Sequence, residues 1–167
     1  MTETRSKTQI LLARVVVLLM VALILLGLFW YGTSAAVLQR MWDNMLGRPG
    51  GPMTFRFILQ PVMAAIAALH DGLADARTGR SSYLLTILTN PAKRGGRLYE
   101  GLISTSRIIL LGLVMDSIYQ VIVLKTFYPG EAVIVALALA FVPYLLLRGP
   151  IAHIARFCGR GAPADRA

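Results

Sequence analysis

The sequence predicts an all-α fold, an integral membrane four-helix bundle with short interfacial helices, built as a single domain over residues 1–167. Three observations point there. Apolar residues make up 56% of the chain and the mean hydropathy is +0.65, above the roughly 45–50% apolar content of soluble domains. The apolar residues fall in long runs, not alternating stripes, and about 20 such residues carry a helix across a bilayer core. The 17 Lys+Arg, against 8 Asp+Glu, gather between particular runs.

The first span is expected over residues 10–31, where Val15 to Tyr31 carries no charge. Phe29, Trp30 and Tyr31 close it as an interfacial aromatic belt. Three bulky rings and a long apolar run argue for an anchor that is not cleaved, although Thr33-Ser34-Ala35-Ala36 offers small residues of the kind signal peptidase uses. Between Gly32 and Pro52, Val37/Leu38, Met41/Trp42 and Met45/Leu46 recur at helical spacing. They predict an interfacial helix over residues 35–46.

The second span, 56–76, is the least apolar, with Gln60, Pro61, His70, Asp71 and Asp75 around an alanine-rich centre. Small residues of that kind let helices approach closely in lipid. Pro61 leaves the Phe57 carbonyl without its helical donor and predicts a kink. A second interfacial helix is expected over 82–89, capped by Ser81 or Ser82 and ended by Asn90-Pro91. The third span, 103–125, is bracketed by Arg107 and Lys125. The fourth, 131–147, follows Pro129-Gly130, holds Pro143 as a second expected kink, and is stopped by Arg148-Gly149-Pro150. A basic amphipathic tail, 150–160, should then lie on the membrane surface, with the single cysteine, Cys158, in it.

Charge sets the orientation. With the N-terminus inside, the cytoplasmic segments hold Arg5, Lys7, Arg14, Arg77, Arg80, Lys93, Arg94, Arg97, Arg107, Arg148, Arg156, Arg160 and Arg166. Outside remain Arg40, Arg48, Arg56 and Lys125. Thirteen against four is a positive-inside bias, and it places both termini in the cytoplasm of an inner (plasma) membrane. Losing the second span would reverse the Arg77–Arg97 loop, so the count also supports four spans. The net charge of +9 implies anionic lipid headgroups as partners. Nucleic acid is excluded, because no basic stretch is interleaved with stacking aromatics.

Asp116 is the residue that points most directly to function. It lies midway between Arg107 and Lys125, and a carboxylate at that depth is costly. Ile109, Gly112, Asp116, Tyr119 or Gln120, and Val123 share its helix face. Arg107 is half a turn round and more than about 13 Å along the helix, out of reach. Partners for Asp116 are therefore sought in Gln60, Ser117, Tyr144 or another subunit. The candidate buried polar site is Asp116, Gln120, Tyr119 and Gln60, acting as hydrogen-bonding glue, a proton or ion site, or a contact for a partner's charge. At the cytoplasmic end, Asp71 and Asp75 stand i,i+4 on one face, with Arg77, Arg80, Lys93, Arg94 and Arg97 as expected ion-pair partners. That set is also a candidate anion or partner-docking site.

His70-Asp71-Gly72-Leu73-Ala74-Asp75-Ala76-Arg77 resembles part of the signature of CDP-alcohol phosphotransferases, Asp-x-x-Asp-Gly-x-x-Ala-Arg followed by a Gly and two further Asp residues. The likeness covers about seven residues and departs at the metal ligands. Ala68 stands in place of the first Asp, the Ala76-Arg77 spacing is one residue long, and no later Asp pair exists. Catalytic triads, phosphate loops and zinc spacings are absent from the sequence. No cofactor is expected: a haem between His70 and His153 would need equal depths, and His153 lies beyond Pro150. These features favour a non-enzymatic accessory or assembly subunit, partnered by other membrane subunits or by itself. A small transporter or proton- or ion-conducting protein using Asp116 is the alternative. A lipid-headgroup enzyme acting through Asp71 and Asp75 ranks third.

Overall fold

The computed structural model describes residues 6–80 and 83–160, helices joined by short turns and irregular connections. Arg5, Arg166 and the Ser81 or Ser82 cap lie outside the described residues. The elements are α1 (Lys7–Tyr31), α2 (Ala35–Gly47), α3 (Arg56–Arg77), α4 (Tyr83–Thr89), α5 (Pro91–Tyr119), α6 (Pro129–Ala136) and α7 (Val142–Arg160). A single 3₁₀ turn, Arg48–Gly50, follows α2. Wide π turns extend α5 through Gln120–Leu124 and join α6 to α7 through Leu137–Phe141.

Among the described residues, four helical stretches are long and apolar enough to cross a membrane: Lys7–Tyr31, Arg56–Arg77, Pro91–Leu124 and Pro129–Cys158. The chain is a multi-pass, all-α membrane protein. α2 and α4 are the two short helices expected from the sequence. Ser34 caps α2 by accepting from Val37 N at 3.4 Å. The stripe on α2 leaves Leu38, Trp42 and Leu46 exposed, as an interfacial helix requires.

Three expected boundaries are corrected. α5 begins at Pro91, not near residue 103, because Asn90 caps it by accepting from Lys93 N at 3.3 Å and Pro91 fits the first helical turn. The fourth span does not stop at Leu147: α7 runs through Gly149 and Pro150 to Arg160. Its packing against α3, the most extensive helix pair, outweighs the hydrogen bond lost at Pro150. Gly72 permits this approach, since a Cβ there would lie 2.8 Å from Ile151 Cγ2 and 3.1 Å from the Arg148 carbonyl. The stretch 150–160 therefore continues α7 instead of forming a separate segment, with Ile154 and Phe157 exposed. Near Pro143 the helix widens instead of breaking: Val142 N bonds to Leu137 O in the π pattern, which spaces the backbone where the proline lacks its donor.

Small residues form the middle of the bundle. Ala64, Ala68, Ala132, Ala136 and Ala140 are fully buried, with Ile109 and Leu113 beside them. At Gly112 a Cβ would come within 3.0 Å of Ala136 Cβ. Close backbone approach of this kind is how helices gain packing energy where lipid gives no hydrophobic drive. α1 is held more lightly, burying only Ala13, Val16 and Met20.

Candidate functional site

Charged side chains are buried at both ends of this alanine belt. At the end nearest α2, the chain between α2 and α3 carries Arg48 inward, and Arg56 on the first turn of α3 joins it. Arg48 and Arg56 are each 1% exposed, and Asp116 is fully buried between them. Arg56 Nη1 lies 2.8 Å from Asp116 Oδ1, an ion pair without the alignment of a hydrogen bond. Arg48 Nη2 donates to Asp116 Oδ2 and to Glu131 Oε2, each at 3.3 Å. Gln120, one turn beyond Asp116, donates to Oδ2 at 2.6 Å. Its carbonyl accepts from Tyr128 N at 2.6 Å, tying the turn before α6 to the cluster. Glu131 also accepts from Asn44 at 3.1 and 3.2 Å and faces Arg40 Nε at 3.7 Å. The Tyr119 ring stands beside both cations, 4.6 Å from Arg56 Cζ and 5.8 Å from Arg48 Cζ.

At the α4 end, Asp75 takes Arg148 Nε at 2.8 Å, with Arg97 and Arg80 at 3.5 Å. Asp71 accepts from Ser104 at 2.6 Å and from Tyr144 at 2.5 Å. Tyr144 in turn accepts from Arg148 Nη1 at 2.6 Å. Glu100 pairs with Arg80 at 2.9 Å, Arg97 at 3.4 Å and Arg148 at 3.5 Å. Tyr83 on α4 closes the cluster, donating to the Arg97 carbonyl at 2.6 Å. Burial pushes the Tyr83 phenol up to about 12, with Arg148 beside it pulling the other way, so it stays a donor at ordinary pH.

A groove of about 640 Å³ between α1, α3 and α5 reaches the edge of this second cluster at Asp71, and Gln9, His70, Ser104 and Arg107 line it. A second groove of about 290 Å³ runs between α1, α2 and α6 past Arg40 and Glu131.

Comparison with protein-family models, with curated proteins and with solved structures finds no match. The geometry alone therefore carries the reading of the site.

Of the expected polar set, Asp116 and Gln120 are hydrogen-bonded and the Tyr119 ring stands beside Arg56, while Gln60 is buried one turn along α3 from Arg56, against Gly112 and without a hydrogen-bond partner. The expected partners of Asp116 are corrected. Tyr144 belongs to the other cluster, and the Ser117 hydroxyl bonds back to Leu113 O at 2.8 Å. The partners are Arg48 and Arg56 of the same chain, which the charge pattern alone places among the outside cations of the loop. The available signal is that a loop rich in Gly and Pro, Gly47-Arg48-Pro49-Gly50-Gly51-Pro52, can fold back over the helix ends. Of the five cations expected around Asp71 and Asp75, Arg80 and Arg97 pair with Asp75. Lys93 and Arg94 are exposed on the first turn of α5, and Arg77 is exposed at the end of α3. None of these three is an ion-pair partner of either carboxylate among the described residues. Arg148, Glu100, Ser104 and Tyr144, missed in the sequence, join the two carboxylates instead. His70 is largely exposed beside Asp71, and His153 stacks edge-on against Phe157 at 5.0 Å.

Proposed function

We propose that the protein is a small, non-enzymatic membrane transporter or ion-conducting protein, with its working site in the α2-end cluster around Asp116. One observation carries the reading: two clusters of charge are buried at opposite ends of one bundle, with an alanine and glycine belt between them. Ionisable groups inside a membrane protein mark solute or ion pathways by default. Asp116 and Ser104 are 12 residues apart on α5, so the clusters are separated by roughly 18 Å of helix, a span suited to a site with one access side at a time. The positive-inside count orients this picture, with the α4 end and both termini in the cytoplasm of a plasma membrane and the α2 end outside. The accessory-subunit reading rests on small size, on the absence of catalytic constellations and on an Asp116 without an evident partner in its own chain; the Arg48 and Arg56 pairs take away the last of these three.

Proteoliposomes holding the purified chain, loaded with pH- and anion-sensitive dyes, test the proposal. The wild type should move protons or a small ion down an imposed gradient, and Asp116→Asn should slow that flux at least about tenfold, the loss of one well-placed charged contact. Flux equal in the two proteins rejects the role of Asp116. A wild type without flux, copurifying in mild detergent with stoichiometric membrane subunits, returns the accessory-subunit reading.

A further inference from the structure

We infer that the α2-end cluster binds a small oxyanion on the free edge of Arg56, with Arg48 and Gln60 completing the site. The solute class so named rests on the transport reading above, whereas the binding itself rests on three features of the cluster.

Both carboxylates of the cluster face cations, whereas most of its guanidinium N–H groups meet no acceptor. Asp116 Oδ1 faces Arg56 Nη1, while Oδ2 serves Arg48 and Gln120. Glu131 serves Asn44, Arg48 and Arg40. Among the described residues, Arg56 Nε and Nη2, Arg48 Nε and Nη1, and both polar atoms of the Gln60 amide are buried without a hydrogen-bond partner. Charged donors taken out of water demand an acceptor.

The free groups also have a shape. Nε and Nη2 form the side edge of a guanidinium, whose two parallel N–H bonds match two oxygens of a carboxylate, sulfate or phosphate. A halide would engage such an edge at a single point. Gln60 stands one turn along α3 from Arg56, so the two side chains share a face, and its amide adds a neutral donor.

The charge count agrees. Arg40, Arg48 and Arg56 face Asp116 and Glu131, three cations against two carboxylates, and one further negative charge balances the cluster. At the α4 end Arg80, Arg97 and Arg148 meet Asp71, Asp75 and Glu100 in equal number, and the unpartnered nitrogen beside them among the described residues, Arg156 Nε, belongs to a guanidinium whose Nη2 already donates to the Arg80 carbonyl.

The test is equilibrium dialysis of the purified full chain in detergent against labelled sulfate and inorganic phosphate, with chloride as competitor. Saturable binding near one anion per chain, not displaced by equal chloride, is expected. Arg56→Lys keeps the charge but loses the fork and should weaken oxyanion binding at least about tenfold. Gln60→Ala should weaken it severalfold, and it carries the test if Arg56→Lys fails to fold, as judged by circular dichroism and gel filtration. His153→Ala, far from the cluster, should bind as the wild type does. No saturable binding to the folded wild type, chloride binding as tightly as sulfate, or binding unmoved by both variants overturns the inference and leaves ordered water as the partner of these donors. Capture on phosphatidylglycerol vesicles that free sulfate competes away, and that Gln60→Ala weakens, identifies the oxyanion as a lipid phosphate. Binding without flux overturns transport and keeps the site; flux without binding overturns the site and keeps transport.

Discussion

The two buried clusters are built from the same residue types and differ in how completely they are satisfied. At the α4 end three arginines meet three carboxylates, with Ser104, Tyr144 and Tyr83 filling the remaining positions. At the α2 end each carboxylate is ion-paired, while Asp116 Oδ1 and several guanidinium N–H groups keep no hydrogen-bond partner. A fully connected polar network rigidifies a core, whereas a partly connected one stores cost that a ligand can relieve. The comparison separates a structural clamp from a binding site made with the same chemistry.

Substitution can break that distinction. The largest effect is expected at Arg148, which holds Asp75, Asp71, Glu100 and Tyr144 together. Arg148→Gln strips a buried network of its hub and should destabilise the fold by about 3–5 kcal/mol, read from unfolding in detergent micelles. Arg56→Gln should cost less, about 1–2 kcal/mol, because the ion pair it breaks at Asp116 Oδ1 is offset by removing unpartnered buried donors, and Asp116 keeps Arg48 and Gln120. Equal losses at the two positions would show that the clusters are equivalent, and the distinction would fall. The smallest effect belongs to Arg80, whose side chain is 47% exposed and whose pairs with Asp75 and Glu100 sit at the rim of the clamp. Arg80→Ala should change stability by roughly 0–1 kcal/mol; a larger loss would extend the clamp outward to include it.

The spans and short helices were legible because length and apolar content act locally: a run such as Val15 to Tyr31 can lie almost nowhere but in lipid. The polar face of α5 was legible for a similar reason, since one helical period puts Gly112, Asp116, Tyr119 and Gln120 together. Partner choice was not legible. Asp116 meets residues 60 and 68 positions earlier in the chain, and no local pattern tells that an arginine in a Gly-Pro loop turns inward. The extent of α7 was hidden for another reason. Pro150 and Gly149 signal a stop when only the helix itself is considered, and the close seat of Ile151 against Gly72 carries the helix onward through tertiary contact.

The order of the cluster along the chain has a consequence for biosynthesis. Chains are made from the N-terminus, so Arg48 and Arg56 emerge before Asp116, and Glu131 follows it. When the third span leaves the insertion machinery, the cations that neutralise its carboxylate are already at the membrane. The carboxylate of Asp116 thus follows its counter-charges in the order of synthesis, and its ion pairs with Arg48 and Arg56 add to the packing that seats α5 against α3.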